Sequence, residues 1–82
     1  MFIVYVLYSP SFDKIYVGYT SNLEQRMLSH NFLGKKGYTT KYRPWSILFT
    51  EEFETKVEAM KREKQLKSSR GRNYVRQYIE NH

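Results

Sequence analysis

The chain opens on an apolar run, residues 2–8, in which β-branched and aromatic side chains alternate. Residues 2–8 are β-branched and aromatic and read as a strand, with Ile3, Tyr5 and Leu7 on one face and Phe2, Val4, Val6 and Tyr8 on the other. Ser9-Pro10-Ser11-Phe12-Asp13 is turn chemistry, and residues 14–19 form a second strand that puts Tyr16 and Gly18 on one face. The short connection makes the two an antiparallel hairpin. Ser21-Asn22-Leu23-Glu24 has the form of a capping box, in which the Ser21 hydroxyl accepts from the Glu24 amide, and it opens a helix expected to run to about Asn31. Leu23, Met27 and His30 share one side of that helix, with Arg26 between them.

Residues 32–43 read as a loop ended by Pro44, and residues 45–52 as a third strand. A second capping box, Thr55-Lys56-Val57-Glu58, starts a helix reaching Lys67. Residues 68–72, which include Gly71, are expected to break it; residues 73–80 close the chain as a short helix with Val75, Tyr78 and Ile79 at helical spacing. The order β-β-α-β-α-α predicts an α+β fold: one domain over residues 1–82, built on a small three-stranded antiparallel β-sheet flanked by helices.

A chain of 82 residues buries only about 60–65% of its unfolded surface, so large side chains must supply the core. Eight tyrosines exceed that need, because each buried phenol requires a hydrogen-bond partner; some are expected to face a ligand. The absence of cysteine excludes disulfides, thiolate metal sites and cysteine nucleophiles, and agrees with a cytoplasmic location. No apolar run approaches the roughly 20 residues needed to span a bilayer. Residues 2–8 lack a preceding charged region and a small-residue cleavage site, so no signal peptide is expected. The net charge of +6 favours polyanions, although basic charge also serves solubility.

Two polar residues interrupt apolar stripes. On the second long helix the expected inward stripe is Ala59, Met60, Leu66 and Lys67, and Glu63 falls within it. A carboxylate there needs a cation or donors, so it is either a functional acid or an ion pair with Lys67 one turn on. Arg26 offers a planar fork suited to phosphate, or packs its stem and extends its head to solvent. Tyr5 and Tyr16 lie on neighbouring strands beside Gly18, as a cross-strand core pair or as the lining of a site. Basic and aromatic residues interleave in Lys35, Lys36, Tyr38, Lys41, Tyr42 and Arg43, a pattern suited to holding phosphates and stacking on unpaired bases. Arg70, Arg72 and Arg76 add a second basic region; a solvated surface is the plain alternative for both.

Taken in order, Ile3-Val4-Tyr5, Tyr16-Val17-Gly18, Arg26, His30 and the helical Glu63 resemble the GIY-YIG nuclease superfamily, and the segment from Ala59 to Lys67 looks like its single-domain branch, the UPF0213-like proteins. The chain departs from the pattern in lacking the leading glycine of the first tripeptide and in carrying Tyr19 and Gln25 where some relatives have lysine; Asn73 is a candidate for a C-terminal asparagine found in some of them.

The resemblance implies a metal-dependent endonuclease that cleaves phosphodiesters of nucleic acid, DNA rather than RNA, by in-line attack of water, in a setting such as DNA repair or recombination. Glu63 would hold one Mg2+ (or Mn2+), an ion that prefers oxygen ligands and keeps several waters. Arg26 would neutralise the phosphate, Tyr5 and Tyr16 would orient the water or accept its proton, and His30 would hydrogen-bond a phosphate oxygen or a tyrosine. A tyrosinate base would need nearby positive charge, from Arg26 or metal-bound water. Glu51, Glu52 and Glu54 are read as surface charge. Substrate choice would come from a protein partner, a homo-oligomer or nucleic-acid shape. The alternative is a non-catalytic nucleic-acid-binding module that retains the fold.

Overall fold

The computed structural model describes residues 1–34 and 37–81. Three strands, β1 (Phe2–Ser9), β2 (Lys14–Thr20) and β3 (Ser46–Phe53), form one antiparallel sheet in the order β2-β1-β3. The first strand is therefore central and must be apolar on both faces, which its sequence satisfies. Val4 and Val6 are buried with Val17, Ala59, Leu66 and Val75 on one side. Tyr5 and Leu7 are buried with Trp45 on the other, under Leu23 and Met27. The sheet is thus sandwiched between two helical layers: α3 (Lys56–Lys67) with α4 (Ser69–Asn81), and α1 (Leu23–Leu28) with α2 (Tyr38–Lys41). Val6 pairs with Phe49 but Leu7 pairs with Ile47, so Leu48 is the extra residue of a bulge in β3.

The α+β class and the three-stranded antiparallel sheet are as expected, and several local expectations are corrected. The cap of α1 is Asn22, whose side chain accepts from the Gln25 amide at 3.1 Å, in place of the expected Ser21–Glu24 box. Serine and asparagine are comparable caps, so adjacent ones offer two registers. Thr20 decides between them, its hydroxyl accepting the Asn22 amide at 3.0 Å. Next, the expected loop from 32 to 43 is partly helical. After Leu28 the helix widens to a π-helical stretch, Ser29–Leu33, closed by the Gly34 amide on the Ser29 carbonyl at 2.7 Å, and α2 follows as a single turn. Neither piece is long enough to leave a periodic trace.

The third correction concerns Gly71, which lies inside α4, not at a break. A Cβ at that position would collide with the Gln65 carbonyl and the Leu66 Cα, so the glycine is required where α4 crosses the end of α3. The break falls at Ser68 alone. On α3 the inward stripe is narrower than expected: Ala59 and Leu66 are buried, whereas Met60 and Lys67 point outward. Glu51 is not plain surface charge, since Arg62 grips it through Nε at 2.7 Å and Nη2 at 3.1 Å, tying β3 to α3.

Candidate active site

Register puts the two tyrosines together. Leu7 pairs with Tyr16 and Tyr5 with Gly18, so Tyr5, Tyr16 and Gly18 share the face of the sheet turned to α1. The Tyr5 ring lies over Gly18, where a Cβ would come within 2.5 Å of the phenol oxygen. The Tyr5 and Tyr16 ring centroids are 6.2 Å apart. His30, carried by the π-helical stretch, closes the group: its Nε2 is 2.8 Å from the Tyr5 hydroxyl and its ring meets Tyr16 edge-on at 5.0 Å.

A hollow of about 450 Å³ opens above this aromatic floor, and Tyr5, Tyr16, Arg26 and Glu63 all border it. They come from β1, β2, α1 and α3, so four elements deliver one side chain each. Tyr5 is only 1% exposed and forms the base, Tyr16 is half-buried and forms a wall, and Arg26 is exposed at the mouth. His30, at 7% exposure, stands behind Tyr5. Three further polar residues that sequence reasoning missed also line the hollow: Thr20, Ser21 and Lys56. Lys56 was legible, because it lies two helical turns before Glu63 and therefore on the same face of α3.

Charge within the site follows from burial. Desolvation holds the Tyr5 phenol well above its ordinary value, Tyr16 adds to this, and Arg26 opposes it without prevailing. Tyr5 is therefore a neutral phenol at pH 7, because Arg26 alone does not offset its burial. Burial likewise lowers the His30 value, with Arg26 and Arg43 lowering it further, so the imidazole is neutral.

The Glu63 side chain is 21% exposed and pairs with Lys67 at 3.5 Å, the partner anticipated one turn on. That lysine is 53% exposed and bridges at long range, so the pair is exchangeable and does not seal the acid. Among the described residues no group of three metal-ligating side chains occurs. The Glu63 carboxylate, with Tyr16, Thr20 and Ser21 also on the lining, offers oxygen donors that fit a hard ion retaining most of its water, an ion that would share the hollow with the cations Arg26 and Lys56.

The expected nucleic-acid contacts separate. Lys35 and Lys36 lie outside the described residues. Arg43 is engaged within the fold, donating to the carbonyls of His30 at 2.6 Å, Ser29 at 3.2 Å and Gly34. Tyr42 packs on Phe12 and Tyr38, with the Lys14 ammonium 5.3 Å from its ring centre, and Lys41 is exposed. Tyr38 is 44% exposed and stacks on Tyr16 with centroids 6.3 Å apart. Arg70, Arg72 and Arg76 do not form one region: Arg72 and Arg76 share a face of α4 and border a cleft beside β2, whereas Arg70 borders a different hollow together with Arg62 and Tyr74. Asn31 was also missed; its side chain accepts the Trp45 amide at 2.7 Å and donates to the Trp45 carbonyl at 3.2 Å, fixing the residue that roofs Tyr16.

The family model of the GIY-YIG catalytic domain matches residues 1–78. The chain is 41% identical over 68 residues to a UPF0213 protein of Bacillus velezensis, covering 83% of this chain and 68% of that protein. A UPF0213 protein of Natronomonas pharaonis is 40% identical over 65 residues, covering 79% and 75% of the two chains. One from Streptococcus pyogenes is 40% identical over 72 residues, covering 85% and 77%. No solved structure matches significantly. Among the described residues no helix is long and apolar enough to cross a membrane.

Proposed function

Because the chain belongs to the GIY-YIG family of nuclease-type domains, in its UPF0213 branch, we propose that the hollow hydrolyses phosphodiester bonds of nucleic acid, with DNA as the substrate. The observation that carries this reading is the convergence of Tyr5, Tyr16, Arg26 and Glu63, from four separate elements, on one open hollow. A structural role for each residue alone would not require them to meet.

Arg26 and Lys56 border the hollow and supply positive charge to the non-bridging oxygens of a phosphate. Fixed donors of this kind are worth about 3–4 kcal/mol in a transition state. Glu63 is the residue that would hold one Mg2+ or Mn2+, with Lys67 released to solvent. When bound, such an ion neutralises charge on the leaving oxygen. Tyr5 and His30 form the proton path. The water oxygen bonds to phosphorus as the bond to the leaving oxygen breaks, and the leaving oxygen takes a proton from solvent in the open hollow. The water proton passes to the Tyr5 oxygen while the Tyr5 proton passes along the 2.8 Å hydrogen bond to the neutral His30 Nε2. Both groups begin uncharged, as burial dictates, so Tyr5 never has to rest as tyrosinate. Tyr16 orients the water from the wall of the hollow.

The Glu63–Lys67 pair favours one competing reading, a binding module in which the acid is structural. Incubation of labelled single-stranded, duplex and branched DNA with wild type and Glu63→Gln in Mg2+ or Mn2+ separates the two. Cleavage by wild type alone is the expected result. Equal binding with no cleavage by either protein would leave the binding module.

A further inference from the structure

The second strand is an edge of the sheet, and along it runs a cleft of about 560 Å³ lined by Lys14, Tyr16, Tyr38, Lys67, Arg72 and Arg76. Among the described residues no carboxylate lines it. Some of its charge is already engaged: Arg76 holds Asp13 at 2.6 Å, and Lys67 pairs with Glu63 at 3.5 Å. Among the described residues Arg72 has no ion-pair partner, and Lys14 lies over the Tyr42 ring and feels the charge of Asp13 without forming an ion pair. The cleft adjoins the reaction hollow: Tyr16 borders both, and the Lys67 on its rim is the partner of Glu63.

Its floor adds backbone chemistry. The Ile15 carbonyl points out of the sheet, accepting the Tyr38 hydroxyl at 3.3 Å. In an antiparallel ladder the N–H of a residue points the same way as its carbonyl, so the edge also presents an amide donor to the cleft. On the opposite wall stands the exposed Tyr38 ring, braced by Tyr16 and by Trp45 at 5.9 Å.

Cations and an edge amide suit phosphates, and a braced aromatic face suits an unpaired base. The volume is that of a small-ligand pocket, far below what a duplex occupies. We infer that the β2-edge cleft is a subsite for a single-stranded nucleic-acid segment next to the phosphate in the reaction hollow, so that the preferred substrate is unpaired on that side. This inference rests on the nuclease reading of the hollow.

The test uses the full chain and fluorescein-labelled DNA that is blunt duplex, duplex with a single-stranded overhang, or single-stranded. Binding is read by anisotropy without divalent metal at several salt concentrations, for wild type, Arg72→Ser, Lys14→Ser and Tyr38→Leu, with Tyr38→Phe as the variant that keeps the ring. Wild type should prefer the overhang to the blunt duplex. Arg72→Ser and Lys14→Ser should each reduce the salt slope on single strands by about 0.7. Tyr38→Leu should lose the preference that Tyr38→Phe keeps. Unchanged slopes and preference in variants of a wild type that binds and cuts would overturn the cleft and leave the nuclease reading intact. Weakened binding in the variants of a wild type that never cuts would support the cleft and sink the nuclease. A wild type that does not bind nucleic acid overturns both.

Discussion

The Tyr5 hydroxyl and the His30 Nε2 are joined by a 2.8 Å hydrogen bond between the central strand and a helical stretch 25 residues further along the chain. Both partners are held neutral by burial, so the bond ties together a phenol that resists losing its proton and an imidazole that resists gaining one. This fixes an acid limb for activity. Protonated His30 cannot receive a proton from Tyr5, so the cleavage rate should fall once pH drops below the lowered His30 value. His30→Gln should reduce the rate about a hundredfold and remove that limb. Single-turnover rates across pH check both, and a limb that survives in His30→Gln would show that another group sets it.

The same shift makes a stability prediction. Free histidine titrates near about 6.5, and folded His30 lies below this. Between the two values the unfolded chain binds more protons, so stability rises with pH there and is lost as pH falls below about 6.5. Asp13, lowered by its bonds from Tyr8 and Arg76, acts in a separate window, below the ordinary carboxylate value. Melting temperatures measured from neutral to mildly acidic pH should fall for wild type and fall less for His30→Gln.

Arg26 is exposed at the mouth of the hollow, and among the described residues no ion pair holds its guanidinium. Arg26→Ala should therefore change Tm little, within about 0.5 kcal/mol of stability, while reducing cleavage about 100- to 1,000-fold. Lysine restores charge without the planar fork and should rescue only part. A large fall in melting temperature for Arg26→Ala would instead mark a structural residue.

These residues were unevenly legible in the sequence. The strands, the α3 cap and the facing tyrosines announce themselves because a two-residue period and a Thr-x-x-Glu box have one physical meaning each. Glu63 was visible as a carboxylate four residues after Ala59 and three before Leu66, both of which are buried. Arg43 was misleading, since a basic residue in a polar stretch looks the same whether it meets phosphates or three backbone carbonyls. The π-helical stretch that aims His30 at Tyr5 leaves no periodic trace. Gly71 was taken for a breaker because close backbone approach and helix termination use the same residue.

Arg43 itself is testable. Its guanidinium gathers the carbonyls of Ser29, His30 and Gly34, the segment that carries His30. Arg43→Ala should destabilise the protein by about 1.5–3 kcal/mol, the range for hydrogen bonds to a charged group, and Arg43→Lys should recover little of it. Since His30 is held through this segment, activity measured well below the new melting temperature should also fall. Chemical denaturation gives the first quantity; full recovery by lysine would show that charge, not the fork, is what matters.

Lys67 gives the sharpest expectation about metal. In the absence of an ion its ammonium is the counter-charge of Glu63 at 3.5 Å. A metal entering on the same carboxylate must displace it, so the two cations compete. An exposed pair is worth about 0.2–1 kcal/mol, and removing it with Lys67→Ala should lower the Mg2+ concentration for half-maximal cleavage by up to about fivefold. Glu63→Gln should abolish metal-dependent cleavage at every concentration while leaving the melt close to wild type, because the glutamine is isosteric and the site faces solvent. Titrating Mg2+ against cleavage for the three proteins decides the matter. A half-saturation point that rises in Lys67→Ala would mean that the lysine assists the site and does not guard it.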